Sequence, residues 1–164
     1  MQIRKTTFDD IGHVAQIYAE AREFMRENGN PTQWKNGNPS IELARRDVLE
    51  KKSHVCVDGG APIAVFYFAV EREPVYDSIK GKWLDENAYG VIHRIAKLRD
   101  APKGVGRYCI EWCLAQHGNI KIDTHENNAP MRKLLENLGF AYCGIVRYPD
   151  GGERIAFQKH LEKL

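Results

Sequence analysis

Residues 91–108 read VIHRIAKLRDAPKGVGRY. An apolar-rich run ends near Leu98, glycines follow at 104 and 106, and Val105, Cys109, Trp112 and Cys113 then share one helical face. This order predicts a strand, a tight loop and the start of a helix. The amides of Gly104, Val105 and Gly106 then lie at or near a helix N terminus, where N–H groups without intrahelical acceptors and the helix dipole favour an anion. Lys103 and Arg107 add charge at the rim. A Walker loop needs Lys and then Ser or Thr after its last glycine, and Arg107 and Tyr108 stand there instead. A dinucleotide fingerprint needs a third glycine at position 109, which is Cys109. Taken alone, the loop is either a coenzyme pyrophosphate cradle of another kind or a plain strand-to-helix turn.

The chain of 164 residues suits one domain, 1–164, with a sizeable core. Lys and Arg number 24 against 22 Asp and Glu, a balance of +2 that argues against nucleic acid as a partner. No apolar run approaches the roughly 20 residues of a membrane helix. The opening MQIRKTTFDD lacks the basic-then-apolar order of a signal peptide, so a cytoplasmic protein with no membrane partner is expected. Cys56, Cys109, Cys113 and Cys143 form no CxxC pair and have apolar neighbours, which predicts buried free thiols and no metal site.

Upstream, QIRKTT reads as a short strand, and Asp9 or Asp10 can cap a helix carrying Ile11, Val14, Tyr18, Ala21 and Met25 on one face. Ser40 can cap a second helix. HVCVD and APIAVFYFAV, joined through Gly59 and Gly60, form a hairpin signature. Downstream, NIKIDTH is a strand, Asn128 caps a helix with Met131, Leu134, Leu135 and Leu138 on one side, and the segments around PDGG make a closing hairpin. Two stretches, 28–40 and 71–88, are rich in turn formers and read as long loops of the kind that often face substrate.

With IDTHENNAPMRKLLENLGF at 122–140 placed after the glycine loop, nearly the whole chain resembles the GCN5-related N-acetyltransferases, the GNAT family, which move acetyl from acetyl-CoA to an amine. The resemblance implies the acyl-CoA N-acyltransferase (GNAT) fold, an α/β fold whose mixed, mostly antiparallel sheet has six to seven strands, four helices and splayed central strands. It also implies acetyl-CoA as co-substrate. Its pyrophosphate would lie on Pro102, Lys103, Gly104, Val105, Gly106 and Arg107, its pantetheine arm along the backbone of Arg94, Ile95 and Ala96 past a bulge, and Asn128 would touch it. The loop pattern of the family opens with a polar residue where this chain has Ala101, and Arg99 is the candidate substitute. GNPTQW, and GKWL ahead of YGVIHR, resemble an uncharacterised bacterial subgroup.

The acceptor implied is a primary amine of a small molecule, or of a peptide or protein, attacking directly in a ternary complex. A protonated amine must lose its proton first. The family often places a tyrosine acid where this chain has Leu135, and some relatives a glutamate base where it has Gly90. His93, His125 and Tyr142 are the catalytic candidates, with Asp123 and Tyr148 beside them, while strand alternation sends His93 to the face opposite Arg94. Glu71 and Glu73 are candidates for contact with a cationic acceptor, and Trp34 and Trp83 for walls of its pocket. Because Gly90, Ala101 and Leu135 depart from the pattern, two alternatives stand beside the enzyme: a non-catalytic acyl-CoA sensor, and a transferase with a longer acyl donor. A homodimer through the closing hairpin or the long loops is also compatible with the sequence.

Overall fold

Residues 1–162 are described by a computed structural model. Four α helices, α1 (Ile11–Glu27), α2 (Ile41–Leu49), α3 (Val105–Gln116) and α4 (Ala129–Asn137), alternate with eight strands. The strands are β1 (Gln2–Lys5), β2 (Ser53–Asp58), β3 (Ala61–Val70), β4 (Lys80–Gly81), β5 (Gly90–Lys97), β6 (Asn119–Thr124), β7 (Ala141–Arg147) and β8 (Glu153–His160). The order follows the sequence pattern, with one strand more than the six or seven expected. The addition is β4, two residues inside the second long loop. It pairs with β7 through Lys80–Ile145 and Gly81–Gly144.

The chain divides into two compact units. The first comprises Met1–Phe68 and His93–Ile110. Its strands run β1-β2-β3, all antiparallel, with the second half of β5 beside β3. Val14, Ile17, Tyr18 and Ala21 of α1 repeat at helical spacing and are buried with Ala44, Val55, Val65 and Ala96 in one core. Ser40 caps α2 as expected, its Oγ accepting the Leu43 N–H at 3.1 Å. The start of α1 differs from the expected Asp cap. A 3₁₀ turn at Phe8–Asp10 precedes it, and the Asp10 carboxylate turns back to accept the Thr7 N–H at 2.8 Å and both terminal nitrogens of Arg4, at 2.7 and 3.0 Å.

The second unit comprises Ala69–Ile92 and the chain from Glu111 onward. Its strands run β5-β6-β8-β7-β4, with β5 and β6 parallel over Gly90–Ile120, Val91–Lys121 and Ile92–Ile122 and the other pairs antiparallel. A bulge between Tyr142 and Gly144 places Cys143 as an extra residue in β7. Leu135, at the position where the family often carries tyrosine, is fully buried on α4. All four cysteines are buried free thiols.

Candidate active site

In the first unit the strand, loop and helix form as the sequence predicts. Within β5, Arg94 takes φ 51°, a left-handed conformation that costs an L residue of order 1–2 kcal/mol. Its neighbours hold it there. The Arg94 guanidinium donates twice to Asp47 of α2, Nε to Oδ2 and a terminal nitrogen to Oδ1, both at 2.9 Å, and lies 4.8 Å from the Tyr67 ring centroid. The left-handed φ of Arg94 also disturbs strand alternation. His93 was expected on the face opposite Arg94, yet its ring lies 5.4 Å from the same Tyr67 ring.

The loop closes with the Ala101 N–H on Leu98 O at 3.2 Å. Gly104 takes φ 92°, and nothing lies within 4 Å of where a Cβ would stand. That leaves an open approach to the backbone. The first turn of α3 begins with the Tyr108 N–H on Gly104 O at 2.9 Å, so the N–H groups of Val105 and Gly106 have no intrahelical acceptor. Pro102, Lys103 and Arg107 are exposed around them. Arg99 does not stand in for the polar residue missing at Ala101. Its guanidinium pairs with Glu27 at 2.7 Å and lies near the Phe24 ring, and its N–H donates to Glu20. Trp34, the other candidate from this part of the chain, packs edge-on against Tyr18 at 5.5 Å and belongs to the core periphery.

The remaining candidates belong to the second unit. Asn128 caps α4, its Oδ1 accepting the Met131 N–H at 3.2 Å. His125, half-buried after β6, accepts the Asn127 N–H on Nδ1 at 3.0 Å. An accepting Nδ1 puts the proton of the neutral ring on Nε2, which makes His125 a donor. Burial, then the charge of Arg154, lowers its pKa and keeps it neutral at pH 7. Tyr142 stands 60 % exposed on β7 with its ring against Phe157. Asp123 is more organised than any of these: the hydroxyls of Tyr76 and Tyr148 each donate to its Oδ2 at 2.7 Å. Burial and the adjacent carboxylate raise the pKa of both phenols, so they remain hydrogen-bond donors to Asp123.

An open cavity of about 500 Å³ lies wholly within this unit. Tyr76, Trp83 and Tyr89 form its aromatic wall, Lys121 lies between them, and Glu71 and Glu86 contribute carboxylates. The 71–89 segment is fastened to β6 and β8 by side chains. Asp85 Oδ1 accepts from Asn119 at 3.1 Å and from Gln158 at 3.3 Å, its Oδ2 lies 3.0 Å from His160, and Gln158 accepts the Leu84 N–H at 2.8 Å. The Trp83 indole donates to Tyr76 O at 2.9 Å. Of the two tryptophans Trp83 lines this cavity, and Lys121 and Tyr76 are lining residues that the motif reading passed over. The available signal was a lysine at an alternating position inside the apolar strand NIKID.

A scan against protein-family models finds no match, and a comparison with curated proteins finds none either. Solved structures do match. A GNAT-family acetyltransferase from Streptococcus agalactiae is 31% identical, with a TM-score of 0.90 over 99% of this chain and 96% of that one. The ribosomal-protein-S18-alanine N-acetyltransferase from Escherichia coli is 19% identical, with a TM-score of 0.67 over 99% and 95%. A chain of the NatC complex bound to Gag peptide and CoA is 13% identical, with a TM-score of 0.64 over 99% and 100%. The last two share the fold. The chain belongs to the GNAT family of acetyltransferases. Among the described residues, no helix is long and apolar enough to cross a membrane.

Proposed function

We propose that this protein transfers an acetyl group from acetyl-CoA to a primary amine, by direct attack of the amine in a ternary complex. The observation that carries the reading is the start of α3: two N–H groups without intrahelical acceptors, an open Gly104 and an exposed Lys103, all in one loop. These residues fit a pyrophosphate, because backbone donors, a helix dipole and a cationic rim occur together in one loop. Arg94, Ile95 and Ala96 would hold the pantetheine arm through their backbone, and Asn128 would contribute its amide. When bound, acetyl-CoA supplies an activated thioester carbonyl and a thiolate leaving group.

The chain's own residues hold and move the protons. Asp123, fixed by two phenols, is suited to hold the acceptor ammonium. His93 is the candidate to take its proton, and Tyr142 the candidate to return one to sulfur. His125, neutral with its proton on Nε2, can donate a hydrogen bond to the leaving sulfur. Cysteine nucleophiles are disfavoured, because Cys56, Cys109 and Cys113 have no exposed surface and burial pushes the Cys113 thiol up.

Calorimetry with acetyl-CoA tests the coenzyme half. Gly106→Asp puts bulk and a negative charge beside these loop amides and should weaken binding at least about tenfold, or about 1.4 kcal/mol. Unchanged affinity would overturn the loop assignment. The buried Leu135 favours a second reading, a non-catalytic acyl-CoA sensor. Thiol release measured over a panel of amines separates the two, since a sensor binds without turnover.

A further inference from the structure

Lys121 is unusual among the charged side chains. It is 5% exposed, it lines the 500 Å³ cavity, and its Nζ lies 4.3 Å from the Trp83 ring centroid and 4.1 Å from that of Tyr89. Those ring faces are its contacts; among the described residues no oxygen lies within hydrogen-bond or ion-pair distance. An ammonium carries three donors, and two aromatic faces replace only part of the hydration that burial removes. Desolvation accordingly lowers its pKa. The nearby carboxylates are committed elsewhere: Asp85 to Asn119, Gln158 and His160, and Asp77 to Arg72.

The charge of the rest of the lining narrows what can meet that ammonium. Glu71 and Glu86 bring negative charge to the same cavity, which opposes a multiply charged anion such as phosphate. A singly charged carboxylate with a cationic amine on the same molecule satisfies both signs. A cavity of about 500 Å³ is in the range of small-molecule clefts, and the aromatic wall suits an apolar body between the two charges. We propose that this cavity is the acceptor site, and that the acceptor is a small amine bearing a carboxylate, an amino-acid-like molecule whose carboxylate pairs with Lys121.

The proposal deepens the acetyl-transfer reading and rests on it for the fate of the amine. The probes are the common free amino acids and the matching amino acid carboxamides, in which the carboxylate is a neutral amide. Binding is measured by calorimetry and transfer by thiol release from acetyl-CoA. At least one acid should bind and be acetylated with a preference of roughly 10- to 100-fold over its amide, the size expected for a hydrogen-bonded charge. Lys121→Met should reduce that ratio to within about threefold of unity, and Lys121→Arg, which keeps a cation, should retain most of it.

Equal handling of acid and amide by the unmodified protein overturns the proposal, as does a ratio that survives Lys121→Met. Acetyl-CoA binding with no response to any probe overturns the proposal and leaves the transfer reading standing. Lys121-dependent binding of an acid without acetyl-CoA binding overturns the transfer reading and leaves the carboxylate site standing.

Discussion

Removing the Asp47 carboxylate tests how the irregular strand β5 is held. Asp47 is 4% exposed at its side chain and Arg94 21%, and their two 2.9 Å hydrogen bonds join α2 to the left-handed residue. Burial raises the Asp47 pKa in spite of the facing guanidinium, so the pair is costly to bury as well as attractive. The intact pair therefore adds little net stability, whereas half of it is strongly unfavourable. Asp47→Ala leaves the guanidinium over Tyr67 without a counterion and should cost about 3–5 kcal/mol. At about 2–4 °C per kcal/mol for a chain of this size, the fall in Tm is about 6–20 °C. Arg94→Met costs less, because an unpaired Asp47 can protonate. The double variant should return to within about 2 kcal/mol of the parent. Urea unfolding of the four proteins at pH 7 gives the cycle, with a coupling energy of about 2–3 kcal/mol expected. A loss below about 1 kcal/mol for Asp47→Ala, or two costs that simply add, would refute the reasoning.

Gly81 and Gly144 face each other across β4 and β7, and a Cβ on Gly144 would lie 2.3 Å from Lys80 O at φ 149°. Gly144→Ala should therefore cost about 1–3 kcal/mol in urea unfolding, and an unchanged midpoint would remove this crossing as a constraint. His54 is 4% exposed and stacked on Phe66 at 5.3 Å, and burial followed by the charge of Lys5 holds its pKa at about 4. Below pH 6.5 the unfolded chain takes up a proton that the folded chain refuses. Stability should thus fall by about 2 kcal/mol between pH 7 and 5, with further loss towards pH 4. His54→Phe should remove that component; an unaltered pH slope would show that other groups set it.

Much of the fold was legible because its signals are local. The 3.6-residue spacing of Val14, Ile17, Tyr18 and Ala21 needs only α1 to be read, and the Ser40 and Asn128 caps need three residues each. The capping error at Asp10 has the opposite cause. Two competing partners, Arg4 and the Thr7 N–H, draw its carboxylate away from the helix it precedes. Likewise the left-handed φ of Arg94 is held by Asp47, 47 residues away, and nothing in RIAK itself marks it.

The proposed coenzyme and acceptor sites differ in the same way. The proposed pyrophosphate loop is backbone chemistry from one contiguous stretch, so glycine spacing and a helix start mark its position, and the Asn128-led helix downstream separates the cradle from a plain turn. The acceptor cavity is assembled from side chains of 70–89 and from Lys121, and its position depends on links made at Gly144, Asn119, Gln158 and His160. Gly81 and Gly144 did carry a trace of this, since glycine inside a strand marks a close backbone approach, but neither residue names the other as its partner. If the cavity is the acceptor site, as proposed, substitutions confined to 71–89 redirect acceptor choice while leaving the glycine loop at the start of α3 unchanged. That is the physical reason a sequence of this kind announces its coenzyme before its substrate.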